Sequence, residues 1–464
     1  MYILKVLKSM ITYARVIIKS LRLKEGELKM SGKDKIYKGN LYEFTLGKGV
    51  GKGGNGRVCE VNISNSQCKE NYVVKVLSLD KWKDKDMKKL RYKRFHKEIH
   101  TVLELQNDIL GIMKIIDFHC PSEMQKKSGA WYLMYKAESF NKFCIKNNID
   151  LKRKVEYLLE LSNILVTLHE RRYSHRDIKI DNLLILNNQL MLADFGLIWN
   201  MEDSRITGED ERLGPFYIGP PELENRDIDI EDFRPSDVYL FAKVVWMVVK
   251  NDNIGFRGEY KRHNKQFYLN ASEYGITTFE PIHKLLEKST KFNMDERINI
   301  KECRELIIAQ LSILNEGITN KALSYRFEEL EKEMINDEEP NERIYRNSNT
   351  IIKVLKEFTP ISNIIIEGAN DIINANLAKL WKVDNSIIFK SNLKTGQTFL
   401  CYPNFIKYSN KKEGFELHIK KVEREDIHSE FVSYKESRIS KWGSVNNSIF
   451  LDEPLVIRFE KRDY

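Results

Sequence analysis

The chain has 464 residues, 42% of them hydrophobic and 31% charged, which suits one large domain with a smaller one and excludes a disordered chain. A formal charge of +9 permits nucleic acid or an acidic membrane surface as a partner and requires neither. The six cysteines, at 59, 68, 120, 144, 303 and 401, include no pair at zinc-site spacing and read as reduced thiols of a cytosolic protein.

In the first 39 residues Lys5, Lys8, Arg15, Lys19 and Arg22 interrupt every apolar run before it could span a bilayer, and no signal-peptide cleavage site follows. Leu4, Leu7, Ile11, Ala14, Ile18 and Leu21 repeat at three and four, so residues 3–22 are expected to form a basic amphipathic helix. Such a helix packs against the chain's own domain, or touches a membrane surface or a partner helix. An over-extended start is the third reading, because Met30 precedes a polar stretch, 31–39, that reads as a linker.

From Leu41 a strand leads into Gly51, Gly53 and Gly56, followed by Val58. Glycines at this spacing form a tight loop whose N–H groups can approach phosphates, and the pattern also fits a dinucleotide fold. Here the chain continues as a strand to Ile63, and no Gly-Lys-Ser/Thr follows. Lys75 lies within the β-branched run 71–76, where a lysine either faces solvent on an edge strand or needs a buried partner. Nine Lys/Arg between Lys81 and Lys97 read first as a solvated face and second as a dock for an acidic protein or nucleic acid. Residues 112–118 and 131–135 read as strands, and 151–171 as a buried helix.

That helix feeds into Tyr173–Ser–His–Arg–Asp–Ile–Lys–Ile–Asp–Asn–Leu–Leu184, with Ala193–Asp–Phe–Gly196 close behind. Phosphoryl transfer calls for the groups these segments carry: a carboxylate at the acceptor hydroxyl, a cation beside the phosphate, and oxygen ligands for a metal. Together they resemble the H-R-D-x-K-x-x-N and D-F-G motifs of the eukaryotic-type (Hanks-type) serine/threonine protein kinases.

The resemblance spans about 41–314 and implies a fold and a set of roles. Its fold is α+β and bilobal, a small β-rich lobe and a large helical lobe, here with an additional C-terminal α+β module. Lys75 would hold the α- and β-phosphates of ATP and pair with a glutamate of the following helix, Glu98, with Glu104 further along the same helical pattern as the fallback. Gly51, Gly53, Gly56 and Val58 would cover the nucleotide, Met134 would stand as gatekeeper, and Tyr135 and Ala137 would bound the hinge. Asp177 would take the acceptor proton, Lys179 would offset γ-phosphate charge, and Asn182 and Asp194 would hold Mg²⁺, with Mn²⁺ as the alternative ion. Arg176 would receive a phosphate of the activation segment, expected on Thr207 before Ser204, unless Glu209, Asp210 and Glu211 supply that charge. Asp237 would fix the catalytic-loop backbone, and Arg297 would pair with Glu222. Pro215 stands where many relatives carry a threonine, so the hydroxyl preference is less defined than the catalytic loop implies.

The expected divisions are 1–39, helix and linker; 40–125, small lobe; 126–137, last small-lobe strand and hinge; 138–320, large lobe; 321–340, charged helix and linker; and 341–464, a module of unassigned role. Within that module 386–390, 397–402, 414–420 and 454–459 read as strands. The expected function is ATP-dependent transfer to Ser/Thr hydroxyls of protein substrates, with autophosphorylation, in the cytoplasm or at the inner membrane surface. A stress or anti-phage role is an association only. A pseudokinase scaffold and a small-molecule phosphotransferase are the alternatives, and nucleic acid ranks behind protein as a partner.

Overall fold

The computed structural model describes residues 35–52, 56–63, 71–79, 84–124, 129–201, 217–224, 230–317 and 319–334, then separate elements between Glu342 and Lys461. The expected helix at 3–22, Gly53, and the stretch with Ser204, Thr207, Glu209, Asp210, Glu211 and Pro215 lie outside the described residues. Two compact units emerge: one takes in the described residues up to Tyr260 with Lys284–Leu311, the other Lys261–His283 and those from Ser312 onward.

The first unit opens with a six-stranded antiparallel sheet ordered β1-β2-β3-β4-β6-β5. Its strands are β1 (Ile36–Lys38), β2 (Glu43–Lys52), β3 (Gly56–Ile63), β4 (Tyr72–Leu77), β5 (Ile115–His119) and β6 (Trp131–Tyr135). Strand β1 falls in the stretch expected to be linker. Its Tyr37 is buried, stacked 5.5 Å from Phe44 and edge-on to Trp131 at 6.4 Å, so aromatic burial recruits the segment. Asp117 fastens the turn that follows by accepting from the N–H groups of Asn40, Leu41 and Tyr42.

Strand β4 is buried throughout and pairs on both sides, which sets Lys75 opposite Val58 on β3 and Tyr132 on β6. The edge-strand reading of Lys75 is therefore wrong: the strand is central, and the ammonium must find its partners inside. Helix α1 (Lys85–Leu105) starts on Asp84, whose side chain accepts from the Asp86 N–H. It buries Phe95, Glu98, Ile99 and Val102 while Lys85, Lys89 and Lys93 face solvent.

The helical part builds on α2 (Phe140–Lys146), α3 (Leu151–Glu170) and α4 (Arg234–Lys250). Asp150 caps α3 through the Arg153 N–H, and α4 is buried along nearly its whole length. Strands β7 (Glu138–Ser139), β9 (Leu183–Leu186) and β10 (Gln189–Leu192) form a small sheet, and β8 (Tyr173–Ser174) pairs with β11 (Trp199–Asn200). Asn187 and Asn188, at φ 51° and 62°, make the two-residue hairpin turn between β9 and β10. That hairpin is the spacer between the two motif segments read from the sequence.

In the second unit α5 (Asn320–Met334) and α6 (Ser348–Phe358) carry apolar faces, with Phe327 edge-on to Phe358 and Phe358 against Phe415. A five-stranded sheet runs β12 (Glu342–Tyr345), β17 (Pro403–Ser409), β18 (Gly414–Ile419), β20 (Val456–Lys461), β13 (Ser362–Glu367). A four-stranded sheet runs β14 (Leu377–Val383), β15 (Ser386–Ser391), β16 (Thr398–Cys401), β19 (Ser448–Phe450). Residues 261–283 belong to this unit through a buried polar cluster in which Glu329 accepts from the hydroxyls of Thr278 at 2.6 Å and Tyr268 at 3.1 Å. Burial would raise the Glu329 carboxyl, yet the His283 contact and the Arg326 charge hold it below the ordinary glutamate range.

Candidate active site

A cleft of about 620 Å³ lies between the six-stranded sheet and the β9–β10 region. Gly51, Gly56, Val58, Lys75, Glu98, Met134, Tyr135, Ala137, Asn182 and Asp194, all singled out from the sequence, line it. Gly56 is required by geometry, because a Cβ there would meet the Val76 carbonyl oxygen at 2.6 Å. Gly51 faces open space: a Cβ would find no atom within 4 Å, so room is kept there that the chain's own packing does not use.

At the back of the cleft Lys75 Nζ donates to Glu98 Oε1 at 2.7 Å and to Asp194 Oδ1 at 2.9 Å. Helix α1 supplies the glutamate because Glu98 sits on the face that also buries Phe95 and Val102. Glu104, the fallback, instead accepts from the Tyr173 hydroxyl at 3.2 Å. Burial pulls the Lys75 pKa down, but the Asp194 and Glu98 carboxylates outweigh it and raise it well above the ordinary lysine value. Burial and these charges act oppositely on the partners. Glu98 ends above the usual carboxylate range because burial outweighs Lys75, whereas Asp194 ends below it because Lys75 outweighs burial.

The second cluster gathers on the loop between β8 and β9. Lys179 Nζ donates to both oxygens of Asp177, at 2.9 and 2.7 Å, and Asn182 Nδ2 donates to the Asp177 carbonyl at 2.7 Å and carboxylate at 3.0 Å. Burial raises the Asp177 carboxyl despite Lys179. Because the Asn182 amide nitrogen is committed to Asp177, its oxygen is the atom left to accept a ligand. Asp237, at the start of α4, holds the loop by accepting from the backbone N–H of His175 and of Arg176, each at 2.7 Å. His175 is fully buried with its ring edge-on to Phe195, which makes it a core histidine. Arg176 and Asp194 take positive φ, 62° and 63°, a conformation that non-glycine residues hold only when their surroundings enforce it.

Arg176 lies in an aromatic seat: its Nε donates to the Leu197 carbonyl at 2.7 Å, and its guanidinium stands 5.2 Å from the Trp199 ring and 4.9 Å from that of Phe233. Lys97, on α1, approaches the same Trp199 ring at 5.7 Å. At the hinge the Lys136 N–H is taken by the Asn71 carbonyl at 2.8 Å, while Met134 is buried against the cleft. Asn141 Nδ2 donates to Asn253 Oδ1 at 2.7 Å.

Sequence reasoning missed Tyr132, Trp199 and Phe233. Tyr132 lines the cleft and its hydroxyl donates to Glu98 Oε1 at 2.8 Å. A tyrosine within an apolar strand carries no signal of its own; its register opposite Lys75 is what brings it there.

The chemistry of the donor set fits a nucleotide with a hard divalent cation. Asn182 and Asp194 offer oxygen atoms of the type magnesium and manganese take, and Lys75 and the glycine loop offer donors to phosphates. Among the described residues no group of three or more His, Cys, Asp or Glu forms a metal cluster, so a cation here would draw its other ligands from phosphate and water.

The comparisons agree with this geometry. A protein named as a serine/threonine-protein kinase, L232, of Acanthamoeba polyphaga mimivirus is 25% identical over 279 residues, 55% of this chain and 42% of that protein. Rho-associated protein kinase let-502 of Caenorhabditis briggsae is 26% identical over 206 residues, 44% of this chain and 15% of that protein. Aurora kinase of Candida albicans is 25% identical over 171 residues, 35% of this chain and 29% of that protein. The chain thus spans less than half the length of each of these relatives. The family model described as "Protein kinase domain" matches residues 44–344, well over half of the sequence, and this chain belongs to the protein kinase domain family.

Proposed function

We propose that this chain is a protein kinase that transfers the γ-phosphoryl group of ATP to Ser/Thr hydroxyls of proteins, itself included, with Mg²⁺ or Mn²⁺. One observation carries the reading: Lys75 joins Glu98 and Asp194 in the cleft whose wall also holds Asn182, bonded to Asp177. A nucleotide-binding scaffold needs no acceptor-side carboxylate, whereas transfer does.

In this reading Lys75 positions the α- and β-phosphates, and Gly51 and Gly56 keep the loop close above them. Asn182 and Asp194 hold the cation, which neutralises phosphate charge when bound. Asp177 orients the acceptor hydroxyl and receives its proton as the new P–O bond forms; ADP leaves with the electron pair of the broken bridge. Lys179 offsets charge on the transferred group. The raised Asp177 carboxyl gives the acid limb of kcat, with activity falling as pH drops and that carboxylate is protonated. Residues 3–22, which carry none of the motifs, are assigned to localisation or partner contact rather than to chemistry.

The test is Asp177→Asn. It keeps Mg·ATP affinity within about threefold and lowers transfer to a generic protein substrate at least a hundredfold. Wild-type rates in that variant overturn the assignment. Phosphorylation of a small molecule and of no protein would favour the small-molecule phosphotransferase instead.

A further inference from the structure

Tyr132 is the buried tyrosine of β6, flanked by the buried Trp131, Leu133 and Met134. Its hydroxyl donates to Glu98 Oε1 at 2.8 Å, the same oxygen that accepts from Lys75 at 2.7 Å. The ring lies stacked on Phe95 of α1 at 5.5 Å, and Lys75 Nζ stands 5.5 Å from its centre. One side chain thus touches Glu98, the helix that carries it, and the lysine that pairs with it.

The demands on these donors differ. Lys75 already divides its protons between Glu98 and Asp194, and phosphates of a bound nucleotide would draw on the same three N–H groups. The Tyr132 hydroxyl has one proton, spent on Glu98. Both residues are buried, and among the described residues no donor reaches Glu98 Oε2. A buried carboxylate reduced to one shared donor is poorly held, since a hydrogen bond to a charged acceptor is stronger than a neutral one.

We propose that Tyr132 is a positioning residue for phosphoryl transfer: it is a second, dedicated donor to Glu98 that keeps α1 docked while Lys75 turns toward the nucleotide. This rests on the kinase reading of the cleft. The raised Glu98 carboxyl agrees with it: burial pushes it up, and the Tyr132 bond is one of the contacts that oppose the rise.

Tyr132→Phe keeps the ring, its stacking on Phe95 and its face toward Lys75, and deletes only the donor. It should lower kcat/KM for ATP about tenfold. The acid limb of kcat/KM should move to higher pH, because the charged form of Glu98 loses a stabilising bond. On a Glu98→Gln background Tyr132→Phe should add little, since Tyr132 acts only through the Glu98 carboxylate. Calorimetric Mg·ATP affinity against pH, measured on the same full-length proteins, repeats the comparison without catalysis. An unmoved acid limb in folded Tyr132→Phe, or losses that multiply in the double variant, overturns the proposal. Tyr132→Met, smaller and without a donor, replaces Tyr132→Phe if the latter does not fold. If the wild-type protein transfers no phosphate while the affinities still show the coupling, the kinase reading fails and Tyr132 keeps only its part in holding Glu98 for nucleotide binding. If transfer occurs and the coupling is absent, the reverse holds.

Discussion

Arg297 and Glu222, 75 positions apart, form a two-pronged ion pair in the interior, with Nη1–Oε1 at 2.6 Å and Nη2–Oε2 at 2.9 Å. The Ser236 hydroxyl also donates to Glu222 at 2.7 Å, and the Arg297 guanidinium lies 4.8 Å from the Tyr239 ring. The pair fixes the end of the segment before α4 against the chain that follows Asn293. Removing one partner leaves a charge buried without compensation, so Arg297→Ala is expected to cost about 3–5 kcal/mol. Chemical denaturation checks this, with the midpoint falling and the slope unchanged. Arg297→Met with Glu222→Gln should recover part of the loss.

Asp194 lines the cleft and accepts from Lys75 through Oδ1. Asp194→Ala is expected to weaken Mg·ATP binding at least tenfold and to abolish most of the gain in affinity that Mg²⁺ confers. Titration calorimetry with and without Mg²⁺ reads both. Equal affinities under the two conditions in wild type would remove Asp194 from the cation site.

Trp199 takes Arg176 of the catalytic loop and Lys97 of α1 on its ring. Cation–π contacts of this kind are worth about 0.5–2 kcal/mol each. Trp199→Ala should therefore lower kcat roughly threefold to thirtyfold, with KM for ATP changed less, and Trp199→Phe should restore most of the rate. Steady-state kinetics on the three proteins decides; a Trp199→Ala enzyme at full rate excludes the aromatic seat as a contributor.

Lys243, in the middle of α4, donates to the carbonyls of Phe256, at 3.1 Å, and Gly258, and lies over the Phe256 ring. Burial, with Arg297 nearby, pushes its pKa down to about 6 from the ordinary 10.5. The unfolded chain therefore binds this proton more readily than the folded one. The contribution of Lys243 to stability is present above the unfolded value and lost as pH falls toward 6, by at most about 1.4 kcal/mol per pH unit. Lys243→Met lacks this dependence, so the variant should gain on wild type as pH drops from 10 to 6 and hold level below. Unfolding curves across that range test the slope.

Much of the site was legible in the sequence because it is carried by residues close together in the chain. Asp177, Lys179 and Asn182 lie within one turn of the catalytic loop, and Asp194 follows a hairpin whose two asparagines set its length. The strand at 131–135 was equally plain. From its own surroundings Lys75 reads as a costly residue in an apolar run, and its pairing with Glu98 came from the kinase resemblance; the central position of β4 is what makes a buried partner necessary. Tyr132, the Trp199–Phe233 seat of Arg176, and Asp117 beneath the 40–42 turn left no local trace. Each owes its role to strand register or to contact between segments far apart in the chain. Nor did composition announce that 261–283 joins α5, because the bonds of Tyr268 and Thr278 to Glu329 link segments more than 50 residues apart. Sequence fixes which groups are available and which stretches repeat; only folding decides which buried polar atoms meet, since each must find a partner wherever the packing places it.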